Sequence, residues 1–204
     1  MTGFRILQGQ TLVCLGDSIT QADPGYVSLL ADLIAAKYPE RGIHVVNAGI
    51  GGHKAPDMRE RLGRDVLAHH PDWVTINVGI NDVWHGMGSG TGGVSLDVYE
   101  RDVDAIVQTI QAETTAQVVL VPPTVIGEDV EDPANKLLGQ YVGAMERVAK
   151  LRGTLLAPVH ADFLRTLRTG QVASPGFRMT TDGVHLNPRG NARLALTILE
   201  TLDY

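Results

Sequence analysis

The sequence predicts an α/β fold in which helices cover both faces of a five-stranded parallel sheet, a three-layer α/β/α arrangement. Two observations carry this. Short runs rich in Val, Ile and Leu alternate with longer segments whose apolar residues recur at helical spacing. The short runs also show little period-2 alternation, as expected of strands buried on both sides. Strand–helix alternation of this kind implies right-handed crossovers and parallel pairing.

Thr11–Leu15 reads as the first strand, closed by Gly16 at a turn. Tyr26–Tyr38 follows as a helix, with Leu29, Leu30, Leu33 and Ile34 on one stripe and Pro39 and Gly42 to stop it. Ile43–Asn47 is the second strand and includes His44. Asp57–His69 is the second helix, ended before Pro71, with His69 and His70 where a cation suits the dipole. Then come the strand Trp73–Val78, the helix Leu96–Glu113, the strand Val118–Val121, the helix Pro133–Arg152 and the strand Thr154–Ala157, after which His160 opens a loop. A last helix runs from about Pro188 to Leu202, with Pro188 suited to its first turn. The Gly-rich segment His85–Ser95 reads either as a surface connection or as a lid or rim beside whatever follows the third strand.

Neither a repeat nor a linker divides the chain, so residues 1–204 read as one domain, and 44% hydrophobic content suits a sizeable core. A net charge of -6, with acidic residues spread along the chain, argues against a nucleic-acid partner. The opening MTGFRILQGQ lacks a basic region followed by an apolar one, and no apolar run approaches the ~20 residues of a membrane span. Cys14, the only cysteine, lies mid-strand and reads as a buried, inert thiol. These features lead us to expect a cytoplasmic protein. The histidines show no metal-ligand spacing, so neither metal nor cofactor is expected.

Ligands of open parallel sheets bind beyond the carboxyl ends of the strands. There the first strand supplies Gly16, Asp17 and Ser18; the second Asn47 to Gly52; the third Gly79, Ile80, Asn81 and Asp82. The segment before the last helix adds Asp182 and His185. Ester hydrolysis needs a nucleophile, a base, a group to orient the base and donors for the oxyanion. Ser18 can be the nucleophile if His185 takes its proton, and Asp182, three residues earlier, can hold the imidazole. The Ser18 N–H, a backbone N–H of the glycine run and the Asn81 amide can serve the oxyanion. Each residue alone has an ordinary reading. Ser18 suits a helix cap, Asn81-Asp82 and Asp182-Gly183 suit turns, and the glycines suit a tight crossover. Taken jointly, at one sheet edge and in complementary roles, they favour chemistry.

Four motifs carry a resemblance: GDS at Gly16–Ser18, NAGIGG ending at Gly52, GIND at Gly79–Asp82 and DGVH at Asp182–His185. In this order, spanning nearly the whole chain, they resemble the SGNH, or GDSL-type, hydrolase superfamily of esterases and lipases. The resemblance implies a flavodoxin-like sheet. It also implies a Ser18–His185–Asp182 triad and an oxyanion hole of Ser18, Gly52 and Asn81, with Gly52 favoured over Gly49 and Gly51. The phrases VVNAGIGGH and RLGRDVLAHHPDWVTINVGINDVW further resemble intracellular bacterial members that deacetylate sugars, acetylxylan-type esterases among them. In that group Trp84 would lie near the pocket. His53 could reach the pocket rim, and Asp17 would brace the turn if it does not meet substrate.

The expectation is therefore a metal-independent serine hydrolase of small-molecule esters carrying a short acyl group such as acetyl. A homo-oligomer is compatible with the sequence. The same residues could serve a thioesterase or lysophospholipase, which an apolar acyl tunnel would reveal. A phosphate-binding domain using the Gly16–Thr20 turn would leave Asp182 and His185 without a purpose and lacks the glycine–lysine phosphate loop. A silent sugar-binding relative would not need the full catalytic set.

Overall fold

The computed structural model describes residues 3–87 and 92–204. In chain order the elements are β1 (Thr11–Gly16), α1 (Ser18–Gln21), α2 (Tyr26–Lys37), β2 (His44–Gly49), α3 (Ala55–Glu60), α4 (Leu62–Asp65), β3 (Trp73–Asn77) and α5 (Ile80–Trp84). They continue with α6 (Leu96–Glu113), β4 (Gln117–Val121), α7 (Pro133–Arg152), β5 (Leu155–Leu156), α8 (Val159–Ala173) and α9 (Pro188–Thr201). All strand pairs are parallel, in the order β2-β1-β3-β4-β5. This is the flavodoxin-like order, with its switch point between β1 and β3. Helices α2, α9 and α8 pack in sequence on one side, and α3, α6 and α7 on the other.

The strand residues explain the layering. Val13, Cys14 and Leu15 of β1, Val74 and Ile76 of β3 and Val119 to Val121 of β4 are buried, so both faces of the central sheet are covered. β2 is an edge strand and only half-covered, with His44 and Asn47 exposed. Cys14 is buried and unpaired, its thiol pushed up to about 11 by burial, against a hydrogen bond with Thr75. Such a thiol stays protonated and inert.

Three sequence expectations are corrected. The helix expected over Asp57–His69 is broken into α3, α4 and a 3₁₀ turn at Leu67–His69, because Arg61 turns inward between the first two. Residues after Ala157 form α8, an element the reading lacked. Val159, Phe163 and Leu167, at i, i+4 and i+8, give it its buried stripe. His160 consequently lies in a helix, buried, with Nδ1 donating to the Thr124 carbonyl at 2.6 Å. Ser18 does not cap α1; the cap is Asp17, whose carboxylate accepts from Ile19 N.

Glycine at Gly49 is required by close approach. A β-carbon there would lie 2.2 Å from the Gln21 backbone nitrogen, so β2 could not come so near α1. Gly49→Ala is expected to lower the unfolding free energy by about 1–3 kcal/mol, the usual cost of overpacking. A urea midpoint equal to that of the native chain would refute the close-approach reading.

Candidate active site

Polar residues gather where β1, β2 and β3 end. β1 runs through Gly16 into α1, whose first residue is Ser18. The Ser18 hydroxyl lies 3.0 Å from His185 Nε2. On the other side of the imidazole, Nδ1 lies 2.7 Å from Asp182 Oδ2. A carboxylate can only accept there, so Nδ1 carries the proton and Nε2 is left to accept from Ser18. The chain Ser18–His185–Asp182 is thus continuous and in the tautomer that can draw the serine proton.

Asp182 is built to hold this state. Its Oδ1 accepts from the Val184 and His185 amides at 3.0 and 2.8 Å. Burial works against its charge, but these bonds and the His185 ring outweigh it and hold the carboxyl down to about 2. The loop around it is clamped. Thr180 bridges Leu186 in antiparallel fashion, and Gly127 N donates to Gly183 O at 2.7 Å. Glu128 accepts from the Met179 and Thr180 amides and from the Thr180 hydroxyl. Sequence reading missed Glu128, since an acidic residue in a connection carries no signal of its partners. This chain of side chains is open: those of Asp182 and His185 are 53% and 43% exposed.

The glycine run resolves into separate tasks. Gly49 N donates to Asn47 Oδ1, and Gly51 N to Gln21 Oε1, both at 2.9 Å. Gly52 adopts φ +77°, a conformation that favours glycine, and among the described residues its N–H meets no acceptor. A β-carbon on Gly51 would lie 3.8 Å from the Ser18 Cβ, so this turn runs beside the serine. Asn81, buried in α5, donates through Nδ2 to the His53 carbonyl at 3.1 Å, which ties β3's end to the residue after Gly52. Among the described residues, one amide N–H of Asn81 remains for another acceptor.

The residues named as substrate contacts divide. Asp17 is 1% exposed and faces inward as the cap of α1, an arrangement that suits bracing the turn. Burial pushes its carboxyl up to about 7, against the Ile19 N–H bond and the attraction of His185 and Arg61. His53 is half-buried, its Nδ1 accepting from Arg61 Nε at 3.1 Å. Trp84 ends α5, exposed, with its ring 5.5 Å from that of His85. The lid or rim expected from His85–Ser95 falls partly on residues 88–91, outside the described residues. Its two flanks meet, since a β-carbon on Gly86 would lie 3.1 Å from the Gly93 Cα.

Among the described residues, no group of three or more His, Cys, Asp or Glu side chains could hold a metal ion. Nor is any described helix long and apolar enough to cross a membrane.

Residues 14–193 match the model of the GDSL-like Lipase/Acylhydrolase family. The chain belongs to this family. It is 32% identical to an acetylxylan esterase of Geobacillus stearothermophilus, over 98% of this chain and 97% of that protein. It is 28% identical to the isoamyl acetate-hydrolyzing esterase 1 homolog of Mus musculus, over 99% of this chain and 84% of that protein. The crystal structure of the Geobacillus enzyme, Axe2, superposes with a TM-score of 0.88 at 32% identity, covering 98% of this chain and 97% of that one. Variants of Axe2 described as catalytic mutants replace a serine, an aspartate and a histidine by alanine, the last two three residues apart. The α/β hydrolase LAE5, from the metagenome of Lake Arreo in Spain, matches at 29% identity, with a TM-score of 0.88 and 98% of each chain covered. The family and these relatives make the chain a carboxylic ester hydrolase.

Proposed function

We propose that this hydrolase cleaves acetyl esters of sugars through an acyl-enzyme on Ser18. The continuous chain from Ser18 Oγ through His185 to Asp182 is the observation that carries the mechanism. His185 Nε2 takes the hydroxyl proton as Ser18 Oγ attacks the ester carbonyl. The tetrahedral oxyanion accepts from the Ser18 and Gly52 amides and from the free N–H of Asn81. As the intermediate collapses, His185 returns the proton to the alcohol oxygen, the ester bond breaks, and the acyl group stays on Ser18. Water then attacks, His185 again serving as base, and the acid leaves. Asp182, held down to about 2, is ionised throughout and stabilises the imidazolium.

The sugar part of the proposal is supported by three things. The acetylxylan esterase relative matches end to end. The half-exposed Asp182 and His185 leave room for a bulky alcohol, where an acyl-chain tunnel would enclose them. Trp84, an exposed aromatic, suits stacking on a sugar ring at the rim.

Two assays test this. p-Nitrophenyl esters of rising chain length should show acetate turned over best and decanoate barely. Fully acetylated xylose and xylo-oligosaccharides should release acetate. Preference for long acyl chains, with acetylated sugars inert, would replace this reading by the lysophospholipase one.

A further inference from the structure

We infer that Arg61 is a positioning residue, whose single buried guanidinium fixes the nucleophile turn, the glycine turn and the Asn81 amide in one geometry. This rests on the reading of Ser18 as nucleophile and of Gly52 and Asn81 as oxyanion donors.

Arg61 sits at the break between α3 and α4 and is buried. Its fork reaches four acceptors on different elements. Nη2 donates to the Gly16 carbonyl at 2.8 Å, at the end of β1 and two residues before Ser18. Nη1 donates to the Ala48 carbonyl at the end of β2 and to Asp65 Oδ2, both at 2.9 Å. Nε donates to His53 Nδ1, and the His53 carbonyl accepts from Asn81 Nδ2 at 3.1 Å. The ends of β1, β2 and β3 therefore meet through one side chain and its histidine neighbour.

The same carbonyl of Gly16 also accepts from Ile50 N at 3.1 Å, so the nucleophile turn and the glycine turn share an acceptor that Arg61 holds. A shift of Gly16 moves Ser18, and a shift of Ala48 or His53 moves the Gly52 amide lying between them. Small misplacements of groups that must converge on one oxyanion cost heavily; about 1 Å can cost 10²-fold in rate. The His53 contact adds a second effect. With Nδ1 accepting from Arg61, the ring proton sits on Nε2, and the imidazole cannot turn without losing the bond.

Lysine cannot substitute. An ammonium is a point charge on a flexible stem and cannot span four planar-arranged acceptors. A role confined to fold stability would lower the melting temperature without changing the rate of the folded enzyme. Positioning changes the rate itself.

The test combines Arg61→Lys and Arg61→Ala with Ser18→Ala as control, on the full chain. Each protein is assayed with p-nitrophenyl acetate and labelled with a fluorophosphonate, whose rate of attachment to Ser18 reads nucleophile and oxyanion geometry together. We expect kcat to fall about 10-fold in Arg61→Lys and about 100-fold in Arg61→Ala, with KM within about twofold and labelling slowed in parallel. Arg61 lines an open cleft of about 390 Å³, so ethylguanidinium can enter the vacated place and should restore part of the lost rate in Arg61→Ala. If either variant is folded by circular dichroism and labels and turns over at the native rate, the inference falls while the reading of Ser18 stands. If Arg61→Ala does not fold, Arg61→Lys decides alone. If the native chain and Ser18→Ala hydrolyse ester at the same rate, the nucleophile reading falls and takes this inference with it.

Discussion

Ser18→Ala is expected to lower kcat/KM for p-nitrophenyl acetate by about 10⁴-fold or more, leaving only the catalysis that binding and oxyanion donors give to an attacking water. The size follows from the proposed mechanism, which gives the reaction one nucleophile and one path for its proton. Ser18 donates to His185 at 3.0 Å, and His185 is fixed from behind by Asp182 at 2.7 Å. His185→Ala should cost about as much, and the double variant little more, because the three groups act as a unit. The variant should remain folded, since Ser18 does not cap α1; Asp17 does. Equal turnover by the native chain and Ser18→Ala would remove the mechanism outright.

Asp82→Asn is expected to change how stability depends on pH. Asp82 is 1% exposed; its Oδ1 accepts from Ala55 N, and its Oδ2 has no partner among the described residues. Burial pushes its carboxyl from 3.8 up to about 7, against the Ala55 N–H bond, with the Asp17 carboxylate adding to the rise and Lys54 opposing it. Between these two values the native state keeps a proton that the unfolded state has lost. Stability from this group is therefore full below about pH 4, declines as pH rises toward 7, and is lost beyond it. Asparagine keeps the acceptor for Ala55 and has no proton to lose. Urea unfolding at pH 5, 6, 7 and 8 should show the variant gaining on the native chain as pH rises. The comparison is made as a difference because His160, lowered by its own burial, contributes in the opposite sense near neutrality. A difference that does not change with pH would show that Asp82 is ionised in the folded state throughout.

Some of this was legible in the sequence for a physical reason. A strand buried on both faces must be apolar along its whole length, so β1, β3 and β4 announce themselves. The parallel sheet then puts every post-strand loop at one edge, so Ser18, Gly52 and Asn81 could be placed near each other without coordinates. Asp182 and His185 lie three residues apart on one loop, a spacing that lets one side chain hold the other. Other features were hidden because their cause is tertiary. In the run RERLGRD, nothing distinguishes Arg61 from Arg59 or Arg64, yet Arg61 is buried and breaks the helix while Arg64 is exposed. Asp17 and Asp82 look like surface turn residues until burial closes over them. The stripe of Val159, Phe163 and Leu167 in α8 is regular and could have been read as a helix, but the sequence analysis opens a loop at His160 instead.

The proposed nucleophile Ser18 and its proposed base His185 lie 167 residues apart in sequence. On the proposed mechanism the nucleophile therefore leaves the ribosome well before the base that activates it. A nascent chain that has reached only α7 carries Ser18 with nothing to deprotonate it. So does one clipped ahead of the Glu128-clamped loop that holds Asp182 and His185. On this reading Ser18 stays an inert hydroxyl during synthesis, and hydrolysis begins only when that loop docks against the sheet. Turnover of ester then reports that the segment carrying Asp182 and His185 has docked beside Ser18.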